Sequence, residues 1–278
     1  MNTRQLNIKR SDSGVVFNAE FEDLIRRNSL LDFDRVMSLN EGEVVKHAVP
    51  ERKTVRFCLK NANGPVEAYL KRLYPLSLTR FFAQILKLSV PRTAFDEFIN
   101  ITAFHRAGLP TMIPVAAGRR RCGLFRTESF LVTKSIEGCR RLDDFFSRLQ
   151  DVPVEDKREL IKKVALLVKK MHECGFNHRD LYLCHILLDS KGELFLADLH
   201  RVDKRGKVPE RWKVKDVAAL NYSAPWHRIT RTDRLWFLKN YLGKNRLSGG
   251  EKLFVLKVLK KTEKMVKHNE KKSKVRIP

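Results

Sequence analysis

The chain is expected to fold as an α+β protein with two lobes, a small antiparallel β lobe carrying one helix and a larger, mainly helical lobe. Three features lead there. Segments between residues 34 and 75 alternate apolar and polar side chains, the period of half-buried strands. After Pro153, the residues Leu160, Ile161, Val164, Leu167, Val168 and Met171 recur at spacings of three and four, the period of an amphipathic helix. That helix is followed by two short segments, each built around one acidic residue, Asp180 and Asp198. Residues 1–33 are expected as an amino-terminal extension, 34–136 as the small lobe and 137–278 as the large one.

In the small lobe, Asn40-Glu41-Gly42-Glu43-Val44-Val45 offers a glycine turn before the first strand. Val55 to Lys60 and Val66 to Lys71 flank Asn61-Ala62-Asn63-Gly64-Pro65, a hairpin signal, because Asn and Gly tolerate the positive φ of a tight turn. Leu76 to Leu88 is strongly apolar and too short to cross a bilayer, so it is expected to cover the small lobe or dock at an interface. Pro91 opens a helix from Thr93 to Ala107. Ser129 to Gly138 reads as a buried strand, with Lys134 at its end, running into the connection between lobes.

In the large lobe, the helix starts near Val154 and stops at Gly175, a natural left-handed cap. Next comes Phe176-Asn177-His178-Arg179-Asp180-Leu181-Tyr182-Leu183-Cys184-His185. The spacing matches the protein-kinase pattern H-R-D-L-x-x-x-N, in which the Asp accepts the proton of an attacking hydroxyl and the residue five places on helps hold a metal ion. His185 stands where Asn is usual. Asp198 ends the apolar run Leu194 to Ala197, which places a second carboxylate at a strand end to carry magnesium over the phosphates of ATP. His178, Arg179 and Asp180 are the catalytic candidates, and Asp198 and His185 the metal ligands. In the same scheme a strand lysine grips the nucleotide phosphates and a helix glutamate holds that lysine. Lys71, in Ala68-Tyr69-Leu70-Lys71, takes the first role with Lys60 as competitor, and Glu97 takes the second. Gly42 stands in the place of the phosphate-covering loop, without the rest of G-x-G-x-x-G, and Lys134 is the remaining nucleotide contact. His200 to Arg211 is short and basic, and Trp212 opens a helix in which Asp216 is expected to be structural.

The 278 residues carry 56 Lys and Arg against 32 Asp and Glu, a net charge of +24, so an acidic partner or surface is implied. From Glu251 onward, Val255, Leu259, Thr262 and Val266 form a narrow stripe among lysines, a basic amphipathic helix ending in a charged tail. No apolar run approaches the roughly 18 residues that span a bilayer, and Met1 to Gln5 lacks the apolar core of a secretion signal. A cytoplasmic location is expected. The five cysteines lack C-x-x-C spacing and are expected as buried, reduced thiols. No nucleic-acid module is recognised, and nucleic acid is not expected as a partner.

Asn177 to Leu188 resembles the catalytic segment of the bacterial lipopolysaccharide core kinases that phosphorylate heptose or Kdo sugars, in which His replaces the kinase Asn. Leu199-His200-Arg201, Arg211-Trp212 with Lys215-Asp216, Asn221 to Ala224, Gly108 to Met112 and Arg231 to Leu235 are similar to further segments of that family. The resemblance covers roughly residues 35 to 265. It implies a protein-kinase-like fold and an enzyme that uses ATP and Mg2+ to phosphorylate a heptose, less readily Kdo, of the lipid-linked inner core. It further implies a peripheral position on the cytoplasmic face of the inner membrane, contact with an anionic membrane surface, and acyl carrier protein as a possible partner. The alternatives are a kinase of the same fold acting on a protein or small-molecule hydroxyl, and a non-catalytic pseudokinase that binds a membrane or an acidic protein.

Overall fold

A computed structural model of the chain describes residues 6–49, 51–75, 92–123, 126–148 and 153–275. The apolar segment 76–88 lies outside them. Two compact units are present, residues 1–136 with 198–200, and residues 137–197 with 201–278.

The first unit is a seven-stranded antiparallel sheet. Its strands are β1 (Ile8–Arg10), β2 (Val16–Asn18), β3 (Glu43–Val49), β4 (Arg52–Leu59), β5 (Val66–Leu73), β6 (Ile113–Arg121) and β7 (Thr127–Lys134), in the order β1-β2-β6-β7-β5-β4-β3. Helices α1 (Glu22–Arg27), α2 (Phe33–Ser38) and α3 (Ala94–Arg106) belong to the same unit. Residues 6–33, expected within an amino-terminal extension, are part of the lobe itself. Val16 and Phe17 of β2 pair with Ala117 and Ala116 of β6, and Val15, Phe17, Leu24, Ile25 and Leu30 join the core built on Phe57, Leu59, Leu70, Phe130 and Val132. One face of the sheet is covered by this first stretch of chain, which supplies apolar area that strands alone could not bury.

Alternation along β4 and β5 sets what each face carries. Val55, Phe57 and Leu59 are buried while Arg56 and Cys58 are exposed, and the expected hairpin closes with Leu59 opposite Val66. On β5, Ala68, Leu70 and Arg72 turn into the core, so Lys71 points to the other face. Arg72 is 1% exposed and donates from Nη1 to the carbonyl of Met37 at 2.7 Å. The helix expected from Thr93 is α3. It begins at Ala94 because Thr93 and Asp96 form a capping box, each side chain taking the other's backbone N–H.

The second unit contains β8 (Arg140–Arg141), α4 (Leu142–Ser147), α5 (Val154–Glu173), β9 (Phe176–Asn177), β10 (Ile186–Leu188), β11 (Leu194–Leu196), β12 (Asp203–Lys204), α6 (Glu210–Ser223), α7 (Arg231–Leu242) and α8 (Gly249–Val275). Helix α5 buries Ile161, Val164, Leu167, Val168 and Met171, the stripe read from the sequence. On α8 the buried residues are Phe254, Val258 and Thr262, whereas Leu259, expected in the stripe, is exposed. Packing against α6 turns the helix by about one residue from the face that the sequence favoured. An apolar groove lies among α4 to α8, lined by Phe146, Ile161, Leu220, Phe237 and Val258. None of the five cysteines is bridged to another, as expected, but none is buried, and Cys58 and Cys122 are exposed.

Gly175 ends α5 at φ +83°, and a Cβ there would stand 2.0 Å from the carbonyl oxygen of Arg205. Gly175→Ala is expected to lower stability by roughly 2–4 kcal/mol, from the left-handed backbone and the clash together. Chemical denaturation measures this, and an unchanged midpoint would contradict it.

Candidate active site

In the first unit, a chain of charges runs from a helix to a strand-end carboxylate. Lys71 Nζ is 2.5 Å from Glu97 Oε2 and 3.3 Å from Asp198 Oδ1. Glu97 is fully buried, and its Oε1 has no donor among the described residues, so Lys71 is what offsets the cost of burying this carboxylate. Asp198 Oδ1 gathers two further donors, Arg52 Nη2 at 3.1 Å and His200 Nδ1 at 2.7 Å. Asn100 Nδ2 and Arg92 Nη1 donate to the carbonyls of Leu199 and His200, at 2.7 and 3.2 Å, and hold the segment behind it. Asp198 itself has φ +57°, an unfavourable conformation that this surrounding network sustains. Burial alone would raise its pKa, but the charge of Lys71, the hydrogen bond and charge of His200, and the charge of Arg52 outweigh it and hold the carboxyl well below the usual range.

In the second unit, the catalytic loop is fixed from below. Asp216 of α6, wholly buried, accepts the backbone N–H groups of His178 at 2.7 Å and Arg179 at 2.8 Å. Arg179 has φ +71°. Its guanidinium donates to Asp203 at 3.2 Å and lies over the Trp212 ring, so it braces the loop. His178, a catalytic candidate by its place in the motif, is completely buried and donates from Nε2 to the carbonyl of Ala197 at 3.0 Å, which ties the loop to the segment that follows β11. His185 Nδ1 donates to the carbonyl of Asp180 at 2.8 Å and its ring stacks on His178, 5.9 Å between centroids. A neutral His185 therefore keeps its lone pair on Nε2. The Asp180 carboxylate is held by Arg201, whose Nη1 lies 2.8 and 3.0 Å from its two oxygens.

Gly42 is not at the β3–β4 turn. Glu43 pairs with Arg56 and Val49 with Arg52, so Gly42 sits at the far end of that hairpin, where a Cβ would meet the Arg56 carbonyl at 2.3 Å. Its φ of +106° serves packing against β4, and the end of the hairpin that reaches Asp198 carries Arg52 instead. Lys60, the competitor of Lys71, lies beyond β4, its backbone bonded to Asn28. Lys134 is at the last residue of β7, three places along from Leu131, the partner of Lys71. Arg52, His200 and Arg201 were missed as site residues. Leu199-His200-Arg201 was visible only as a family-like segment, and Arg52 had no signal, because nothing local marks which strand cation faces a carboxylate.

Among the described residues no group of three or more His, Cys, Asp and Glu forms a metal cage. The donor set does fit magnesium shared with a nucleotide, since that ion takes one or two carboxylates and completes its shell with phosphate and water. Asp198, kept ionised by its neighbours, could supply the hard oxygen ligand that such an ion requires.

A lysine held by a buried helix glutamate and a strand-end aspartate, together with an H-R-D loop seated on a buried carboxylate, defines a phosphotransferase of the protein-kinase-like class. The comparisons agree. The model of the lipopolysaccharide kinase (Kdo/WaaP) family matches residues 36–241, and the chain belongs to that family. It is 40% identical over 157 residues to the lipopolysaccharide core heptose(I) kinase WaaP of Pseudomonas aeruginosa, covering 53% of this chain and 59% of that protein. It is 33% identical over 221 residues to the WaaP of Escherichia coli, covering 75% of this chain and 80% of that one. A solved structure of WaaP in complex with acyl carrier protein superposes with a TM-score of 0.69 at 31% identity, over 90% of this chain and 98% of that chain.

The depressed pKa of Asp198 means that the folded state favours its charged form. The stability it contributes is present above its unfolded pKa, near ~3.9, and is lost as pH falls toward the lower folded value. Asp198→Asn is expected to be less stable than wild type at pH 7, with the gap narrowing below about pH 4. Unfolding followed by circular dichroism across pH tests this, and a constant gap would refute it.

Proposed function

We propose that the chain transfers the γ-phosphoryl group of ATP to a hydroxyl of a heptose in the lipopolysaccharide inner core. The observation that carries this is the ion pair of Lys71 with buried Glu97 and with Asp198, a grip for nucleotide phosphates that a binding module would not need. Heptose is favoured over Kdo because the relatives at 33% and 40% identity are heptose(I) kinases.

The residues divide the work. Lys71, kept in place by Glu97, steadies the α- and β-phosphates, and Arg52 and His200 add donors where phosphate charge gathers. Asp198 and His185 would hold magnesium, with Asp198 the principal ligand because an imidazole is softer than this ion prefers. Magnesium, when bound, neutralises charge on the transferred phosphoryl group. Asp180 orients the sugar hydroxyl and takes its proton, and Arg201 sets the direction of that carboxylate. Gly42 has no part in covering the phosphates, and Lys134 stands as a peripheral nucleotide contact.

The partners follow from charge. A net charge of +24 favours an anionic membrane surface, where each basic residue contributes on the order of 1 kcal/mol, and no helix among the described residues is long and apolar enough to cross a membrane. Attachment to the inner face of the inner membrane, beside the lipid-linked substrate, accounts for both. Acyl carrier protein is the second partner proposed, supported by the WaaP complex, by basic charge and by the apolar groove among α4 to α8, which suits an acyl chain.

Incubation with ATP, magnesium and purified core acceptors, read by mass spectrometry, is expected to add one phosphoryl group to a heptose. Asp180→Asn should lower kcat by about 10²–10⁴-fold while ATP binding persists. Equal turnover in wild type and variant would remove the enzymatic reading.

A further inference from the structure

Beside Asp180, the second unit gathers more positive charge than phosphoryl transfer uses. The Trp212 ring, in the first turn of α6, is surrounded by four cations. Cζ of Arg179, Arg205 and Arg211 lies 5.4, 5.4 and 5.5 Å from its centroid, and Nζ of Lys215 lies 5.1 Å away. Arg201, bound to Asp180, is the fifth. Burial, followed by the charges of Arg201 and Arg179, holds the Lys215 ammonium below its ordinary range, so these groups lie close enough to repel.

The local carboxylates do not balance this set. Asp203 is shared between Arg179 and Arg205, at 3.2 Å to each. Asp216 is committed to the backbone of the catalytic loop. Among the described residues neither Arg211 nor Lys215 is in an ion pair, and the indole N–H of Trp212 and Nε of Arg179 are buried donors without an acceptor. Stacking on an aromatic ring stabilises one or two cations, but four around a single indole also repel one another. Donors in excess of acceptors, beside the residue assigned to the acceptor hydroxyl, describe a place prepared for an anion.

We propose that Arg201, Arg211 and Lys215 form an anion subsite for the acceptor, binding a carboxylate or phosphate ester that the saccharide carries near the hydroxyl to be phosphorylated. This rests on the reading of the chain as a core-sugar kinase and names what it recognises on the acceptor. Arg201 has a double part. Its guanidinium holds Asp180 before the acceptor arrives, and an anion arriving beside it competes for the same donors, leaving the carboxylate to meet the hydroxyl. Recognition of the acidic group and availability of the proton acceptor are thereby linked through one side chain.

The test uses the full chain, without nucleotide, titrated with deacylated inner-core saccharide in three forms: untreated, carboxyl-reduced to the alcohol, and dephosphorylated. Lys215→Gln and Arg211→Gln are each expected to weaken binding of the untreated form about tenfold, the worth of a charge-assisted hydrogen bond. Lys215→Arg should restore it. Whichever treatment removes the recognised anion should bring wild type down to the level of the Gln variants and abolish the difference between them, which separates a carboxylate from a phosphate. With ATP and magnesium, the Gln variants should raise the acceptor KM and leave the KM for ATP unmoved. The subsite is overturned if the variants bind all three forms as wild type does, if they lose affinity equally for all three, or if wild type binds none. Anion-dependent binding without phosphoryl transfer would instead defeat the kinase reading and leave the subsite standing.

Discussion

The catalytic loop is held in place by the hydrogen bonds that converge on Asp216. This carboxylate, fully buried on α6, accepts the N–H groups of His178 and Arg179 and is met by His172 Nε2 at 3.2 Å, while His172 is bonded in turn to the Tyr241 hydroxyl on α7. Arg179 would not choose φ +71° unaided, since a side chain in the left-handed region costs about 1–2 kcal/mol. Two backbone donors satisfied by one buried anion offset that strain, and each would cost roughly 1–3 kcal/mol if left without an acceptor. Asp180 follows directly, its carbonyl taken by His185, so the orientation of its carboxylate is inherited from a residue thirty-six places further along the chain.

That dependence explains how much of the molecule could be read from its sequence. The strands around the Asn61 to Pro65 turn, the stripe of α5, its stop at Gly175 and the positions of Asp180 and Asp198 all rest on local periods or on motif spacing, and the structure has them. Lys71 with Glu97 was legible as an order of elements, which chemistry then made specific. The amino-terminal stretch was misjudged because β1 and β2 are three residues each, too short for an alternation to show, and the pairing of β2 with β6 spans about a hundred residues. Arg52, Arg201 and His200 were hidden for another reason. In a chain with 56 Lys and Arg, the identity of a cation carries little information, and only its neighbours in space give it a role.

The same pattern recurs in both units, with cations resting on the carboxylates to which chemistry is assigned. Asp198 holds Lys71, Arg52 and His200, and Asp180 holds Arg201. Without a nucleotide or acceptor, those cations need an anion nearby, or their mutual repulsion would push the segments apart. The carboxylates supply it. In the proposed reaction, phosphate and acceptor anions would offer the same donors more charge, so binding would become an exchange of partners in which little net charge is desolvated anew. A site organised this way is kept ordered when empty and gives up its internal ion pairs only to ligands of sufficient charge.

Exchange of this kind also sorts the +24 by depth. Lys71, Arg52, Arg179 and Lys215 are partly buried, where salt screens little, whereas Lys252, Lys257 and Lys260 of α8 stand in solvent beside the exposed Leu253 and Leu256 and are screened within about 8–10 Å at physiological ionic strength. On the proposed reading, attachment to an anionic surface through α8 would be the interaction that ionic strength weakens first, and phosphate and acceptor recognition those that persist. An enzyme whose acceptor is anchored in lipid gains from this division. Under that proposal its hold on the surface would stay loose enough for the protein to move between acceptors, while the groups proposed to select and orient each acceptor would keep their strength when the surface is left behind.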